Sequence, residues 1–248
     1  MATLADAARP RDGEDSPYLA PTPVIDSDHP AVRAFAEARS AGATSAKARA
    51  VQLYYAVRDE IRYDPYGPAV EVESLRASAT LDAGRGWCVS KAVLLAAACR
   101  ALRIPARLGF ADVRNHLSTA RMREHMKTDI FYWHGYTSIQ WGGEGDEARW
   151  VKATPAFNVE LCEKFGFLPL EFDGESDSLY HAFDREGRRH MEYVHERGEF
   201  ADVPLDEMKA TFVEKYPFAR RGGDDAGRTF GADADFDRDV EAETAGNR

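Results

Sequence analysis

The chain opens without periodicity and then settles into patterned stretches. Residues 1–20 mix Ala, Asp, Arg, Pro and Gly and read as a loose tail. Order is expected from Pro23-Val24-Ile25. Asp28-His29-Pro30 reads as a helix start running to Ser40-Ala41-Gly42. Thr44-Ser45 opens a second helix, with Ala48, Val51, Tyr55 and Val57 at roughly helical spacing up to Arg62. Tyr63-Asp64-Pro65-Tyr66-Gly67-Pro68 reads as a turn. From Val89 to Leu102 the chain is apolar nearly all round, the mark of a central helix, and Pro105 forbids its continuation. The segments 106–111, 131–141 and 149–154 alternate like strands, with 142–146 as a hairpin loop between the last two. Short helices are predicted at 159–165 and from Leu205 to Tyr216, where Leu205, Met208, Phe212 and Val213 share a face. Met191 to Val194 follows a turn. A helical layer followed by an antiparallel sheet makes an α+β fold.

Length and composition add bounds. With 248 residues, 44% hydrophobic and 30% charged, one domain with a sizeable core is expected over 21–218, including an extension from about 160 to 218. Residues 219–248 read as an acidic disordered tail, since from Gly222 onward there are eight acidic residues and three arginines. The net charge of −10 argues against nucleic acid or an anionic membrane as partner. The sequence shows no membrane-length apolar run and no signal-like start, so the expected location is cytoplasmic. Three cysteines, Cys88, Cys99 and Cys162, suit a reducing compartment better than a disulfide framework. No histidine or cysteine spacing matches a zinc site, and no cofactor is expected. Oligomeric state is not legible.

The candidate chemistry lies in Gly84-Arg85-Gly86-Trp87-Cys88-Val89-Ser90-Lys91. Two glycines precede a cysteine at the start of the apolar helix, where unpaired N–H groups and the helix dipole favour a thiolate. A small buried hydrophobe is the plainer reading of such a cysteine. A nucleophilic cysteine needs a base, and His134, on a predicted strand downstream, is best placed among the seven histidines.

Gly86-Trp87-Cys88 with its helix, Arg103-Ile104-Pro105-Ala106-Arg107, a strand histidine and a Trp-led strand ending Ala153-Thr154-Pro155 together resemble the core of the transglutaminase-like superfamily, as does the upstream Val57-Arg58-Asp59-Glu60-Ile61-Arg62-Tyr63-Asp64. The resemblance covers about residues 45–160 and implies a papain-like core with a Cys-His-Asp triad and acyl transfer on a peptide, protein or amide substrate. Cys88 would be the nucleophile, His134 the base and then acid, and Trp87 a candidate substrate contact. Where the family has its aspartate, this chain reads Trp150-Val151-Lys152-Ala153-Thr154-Pro155. Counting from the tryptophan places Thr154 there, and anchoring on Thr-Pro places Lys152. Thr154 or Asn158 could orient the imidazole, Lys152 would oppose its charged form, and Asp129 or Asp173 could supply a carboxylate from elsewhere. The implied activity is a thiol hydrolase or acyltransferase acting on amide bonds, more a peptidase or amidase than a cross-linker. The alternative is a catalytically degenerate module that binds a peptide or polymer.

Overall fold

The computed structural model describes residues 16–66, 70–115, 118–141, 148–180, 187, 191–220, 230 and 233–245. Helices α1 (Pro30–Arg39) and α2 (Ala46–Glu60) lead to the two-residue strand β1 (Arg62–Tyr63). Then come α3 (Val72–Leu75), α4 (Ala77–Ala83), the short strand β2 (Arg85–Gly86) and the central helix α5 (Cys88–Ala101). The second half contains β3 (Ala106–Asn115), α6 (Ala120–Met126), β4 (Ile130–Trp141) and β5 (Arg149–Ala153). It continues with α7 (Val159–Phe165), β6 (Met191–Phe200), α8 (Leu205–Lys215), a 3-10 turn (Pro217–Arg220) and α9 (Phe236–Thr244).

Four strands form one antiparallel sheet in the order β5-β4-β3-β6, and β1 pairs with β2 in parallel. Helix α5 is buried along nearly its whole length, as its sequence requires, and packs between the sheet and α1, α2 and α4. Ser45 caps α2 by accepting from the Ala48 N–H at 3.1 Å. The first helix begins as read, but its cap is His29 rather than Asp28, the ring accepting from the Ala31 N–H.

Arg100, near the end of α5, is buried and donates to three carbonyls: Ala106 at 3.0 Å, Ala20 at 2.7 Å and Ala201 at 2.6 Å. Those acceptors satisfy a guanidinium that burial pulls down to about 10.

Further expectations differ from the structure. Of the residues read as a loose tail, 16–20 are tied to the core, the Tyr18 carbonyl accepting from the Ala106 N–H and the Ala20 carbonyl from Arg100. Residues 191–200 form a full strand on the open edge of β3, its alternation hidden by Glu192, His195, Glu196, Arg197 and Glu199. Within the acidic segment read as disordered, residues 236–244 form α9. Its Asp237, Asp239, Glu241 and Glu243 meet Arg62, Arg121, Lys164 and Arg123, while Phe236 packs on Tyr63 and Tyr66. The 142–146 loop lies outside the described residues. No helix among the described residues is long and apolar enough to cross a membrane.

Candidate active site

The approach to Cys88 needs both glycines, for different reasons. Gly84 ends α4 in the left-handed region at φ +61°, a conformation glycine adopts without cost. Gly86 has ordinary backbone angles but no room, since a Cβ there would lie 2.4 Å from Ser90 Oγ and 3.1 Å from Thr80 Cγ2. The chain therefore turns tightly into α5. Trp87 is its extended N-cap and has no side-chain acceptor for the first-turn amides, and Cys88 is the first helical residue.

Strand β4 lies directly on this helix start. A Cβ on Gly135 would come within 3.0 Å of Val89 Cα, and Thr137 Oγ1 donates to the Ala92 carbonyl at 2.8 Å. The small residue after His134 is what lets the strand come so close. His134 itself is 3% exposed and pairs with Ala111 across the sheet. Burial pushes the Cys88 thiol up to about 11, opposed by the backbone N–H groups of Gly135, Val89 and Cys88, which favour the thiolate. His134 is thus next in the chain to one of the backbone N–H groups that favour the Cys88 thiolate.

The surroundings of Cys88 are closed. The residue is 6% exposed, and Tyr63 and Tyr216 lie close enough that its thiolate charge would oppose theirs. Tyr216 is held on β4, its hydroxyl accepting from the Tyr132 N–H at 2.9 Å and donating to the Ile130 carbonyl at 3.3 Å. Phe212 of α8 packs on Trp87 at 6.2 Å between ring centroids. Neither Tyr216 nor Phe212 was a candidate in the sequence, because both lie beyond the segment with family motifs.

The remaining candidates separate. Thr154 is buried, its N–H donates to the Ser178 carbonyl, and its own carbonyl accepts from Tyr54; Oγ1 has no hydrogen-bond partner among the described residues and so makes no orienting contact to His134. Lys152 is turned to β6, its Nζ 3.1 Å from Glu196 Oε1 and 5.1 Å from the Tyr136 ring centroid. Asn158 accepts from the Tyr63 N–H through Oδ1 at 3.1 Å, which places it under the site as a support for β1. Asp129 pairs with Arg114, and Asp173 accepts the Glu175 and Ser176 N–H groups in a turn. Cys99 and Cys162 are buried free thiols, with burial raising Cys99 to about 12. Among the described residues no three His, Cys, Asp or Glu side chains converge on a metal position.

Lys91, also in the motif around Cys88, is fully buried and caps another helix. Its Nζ donates to the carbonyls of Arg58 at 2.9 Å and Ile61 at 2.5 Å, at the end of α2. Burial pulls this ammonium down to about 7 against the pull of Asp59. The cation stays bonded because these carbonyls belong to the negative end of a helix.

Residues 33–155 match the family model described as transglutaminase-like superfamily. No curated protein matches the sequence. Among solved structures, a protein from Cytophaga hutchinsonii described as a candidate cysteine protease superposes with a TM-score of 0.44 and 17% identity, over 76% of this chain and 55% of its own. The chain therefore spans little more than half the length of that protein. The matched segment holds Cys88 at the start of a buried helix, His134 on the strand against it and the Thr154-Pro155 end of the next strand. Through residues 33–155 this chain belongs to the transglutaminase-like superfamily.

Proposed function

We propose that the protein is a thiol-dependent hydrolase or acyltransferase acting on amide bonds, with Cys88 as nucleophile and His134 as its base. The observation that carries this is the seat of Cys88: first residue of a buried helix, with the Gly135 N–H facing its sulfur and His134 next in the chain. A cysteine that only filled space would not need a glycine to admit a donor to its thiol. In the proposed reaction the thiolate attacks an amide carbonyl and the amine leaves with a proton from His134. Water, or a second amine, then releases the acyl group from the thioester. The backbone N–H of Cys88 is the candidate donor to the oxyanion. The substrate is a peptide, protein or small amide, reached from the side now covered by Tyr216 and Phe212.

The experiment is competitive labelling. Iodoacetamide, and an electrophilic amide probe, are expected to modify Cys88 faster than Cys99 or Cys162, with Cys88→Ala as control and His134→Ala slowing the reaction. Equal rates at the three cysteines would remove the proposal. A second reading is a binding module that has lost catalysis, favoured by a Thr154 hydroxyl with no hydrogen-bond partner among the described residues and by the raised Cys88 thiol. It expects the amide probe to bind without covalent capture.

A further inference from the structure

A strained residue stands immediately before His134. Trp133 has φ +62°, in the left-handed region, where a bulky aromatic residue is rarely found. The strain sits in a bulge. Ala111 pairs with His134 and Val113 with Phe131, so Tyr132 and Trp133 together oppose the single residue Asp112. The Trp133 N–H is received by a side chain, Asp112 Oδ1, at 3.1 Å. Asp112 is 4% exposed and bound on its other side by Arg197 of β6, with Nε on Oδ1 at 2.5 Å and Nη2 on Oδ2 at 2.9 Å. The register between β3 and β6 also slips on each side of Asp112, and Arg197 falls within that irregularity. The guanidinium then lies over the Trp133 ring, 4.5 Å from its centroid, so both the amide and the ring of the strained residue are gripped.

An arrangement costing about 1–3 kcal/mol persists only when its neighbours over-determine it. Here they do so at the residue next to His134. The chain also lacks the carboxylate that its family sets on the next strand, and the Thr154 hydroxyl has no hydrogen-bond partner among the described residues. We propose that Asp112 and Arg197 are positioning residues for His134: the buried carboxylate, fixed by the guanidinium, holds the Trp133 peptide in its strained form and so sets the direction in which the imidazole leaves the strand. This rests on the reading of His134 as the base and adds to it a support from β6, beyond the family segment.

The test is the pH profile of Cys88 alkylation by iodoacetamide, run on folded full-length variants, with His134 titrated by NMR in a Cys88→Ser background. Asp112→Ala is expected to slow alkylation near neutral pH about tenfold, towards the His134→Ala rate, and to move the imidazole resonances. Asp112→Asn keeps an acceptor for the Trp133 N–H and is expected to restore most of the rate. Arg197→Met, which leaves Asp112 in place but unanchored, is expected to fall between them, and it decides the matter should Asp112→Ala fail to fold. Folded Asp112→Ala or Arg197→Met protein with the wild-type profile and unmoved imidazole resonances would overturn the inference. If His134→Ala alone leaves the profile unchanged, the fault lies in the assignment of the base.

Discussion

Gly135→Ala is the sharpest perturbation of the candidate site, because it adds one methyl where the nearest atom is backbone. The new Cβ would stand 3.0 Å from Val89 Cα, 3.3 Å from its Cγ2 and 3.4 Å from its N. Ordinary contacts begin near 3.4 Å, so β4 and the start of α5 must part by a few tenths of an ångström. Overpacking of this kind costs about 1–3 kcal/mol. It also withdraws the Gly135 N–H from the sulfur. If about 1.4 kcal/mol of that hydrogen bond to the thiolate is lost, the thiolate population falls about tenfold at a given pH. Urea denaturation is expected to show the stability loss, and iodoacetamide kinetics a slower Cys88 across neutral pH. Trimming the neighbour gives an internal control: Val89→Ala removes Cγ2 but not Cα, so the double variant should recover little. A Gly135→Ala protein within about 0.5 kcal/mol of wild type and unchanged in alkylation would refute the contact geometry on which the site rests.

Four other outcomes follow from the same structure. Thr154→Val is expected to leave labelling of Cys88 unchanged and stability neutral or higher by up to about 1 kcal/mol, because it removes a buried hydroxyl with no hydrogen-bond partner among the described residues; a marked fall in labelling would restore Thr154 as the orienting group. Lys91 gives a pH signature: its folded ammonium, at about 7 against 10.5, releases its proton before the unfolded chain does, so stability should rise as pH increases above 7. Since the Cys88 thiol, shifted the other way, opposes this only above about 9, denaturation midpoints compared between pH 7 and 9 should rise in wild type relative to Lys91→Met. Phe212→Ala should speed labelling of Cys88 by uncovering Trp87, whereas Tyr216→Phe should cost about 1–3 kcal/mol because the Tyr132 N–H loses its acceptor.

What the sequence disclosed were features written locally. Glycines, a cysteine and an apolar run specify the start of α5, and the alternation of 131–141 and 149–154 specifies β4 and β5 as neighbours. What stayed hidden depends on partners far along the chain. The ladder of β6 is written in charged residues, and only its place at the sheet edge makes them tolerable. The acidity of α9 suggests disorder until Arg62, Arg121, Arg123 and Lys164 are found opposite. Asp112 looks like an interruption in a strand, and its use emerges only with the bulge at Trp133 and with Arg197, 85 residues later. Lys91 reads as an intrusion in an apolar helix, yet it completes the end of α2.

The clamp at Arg100 bears on where this protein can be cut. Of its three carbonyl acceptors, only Ala106 lies within residues 33–155; Ala20 precedes that segment and Ala201 follows it. A fragment trimmed to the family segment would keep a guanidinium in its interior with one acceptor in place of three, and would lose β6 from the sheet. A buried charge short of acceptors costs up to several kcal/mol, a large share of the whole stability of a domain. The recognisable core is therefore expected to fold poorly by itself, since the chain on either side of it supplies two of the three oxygen atoms that receive Arg100.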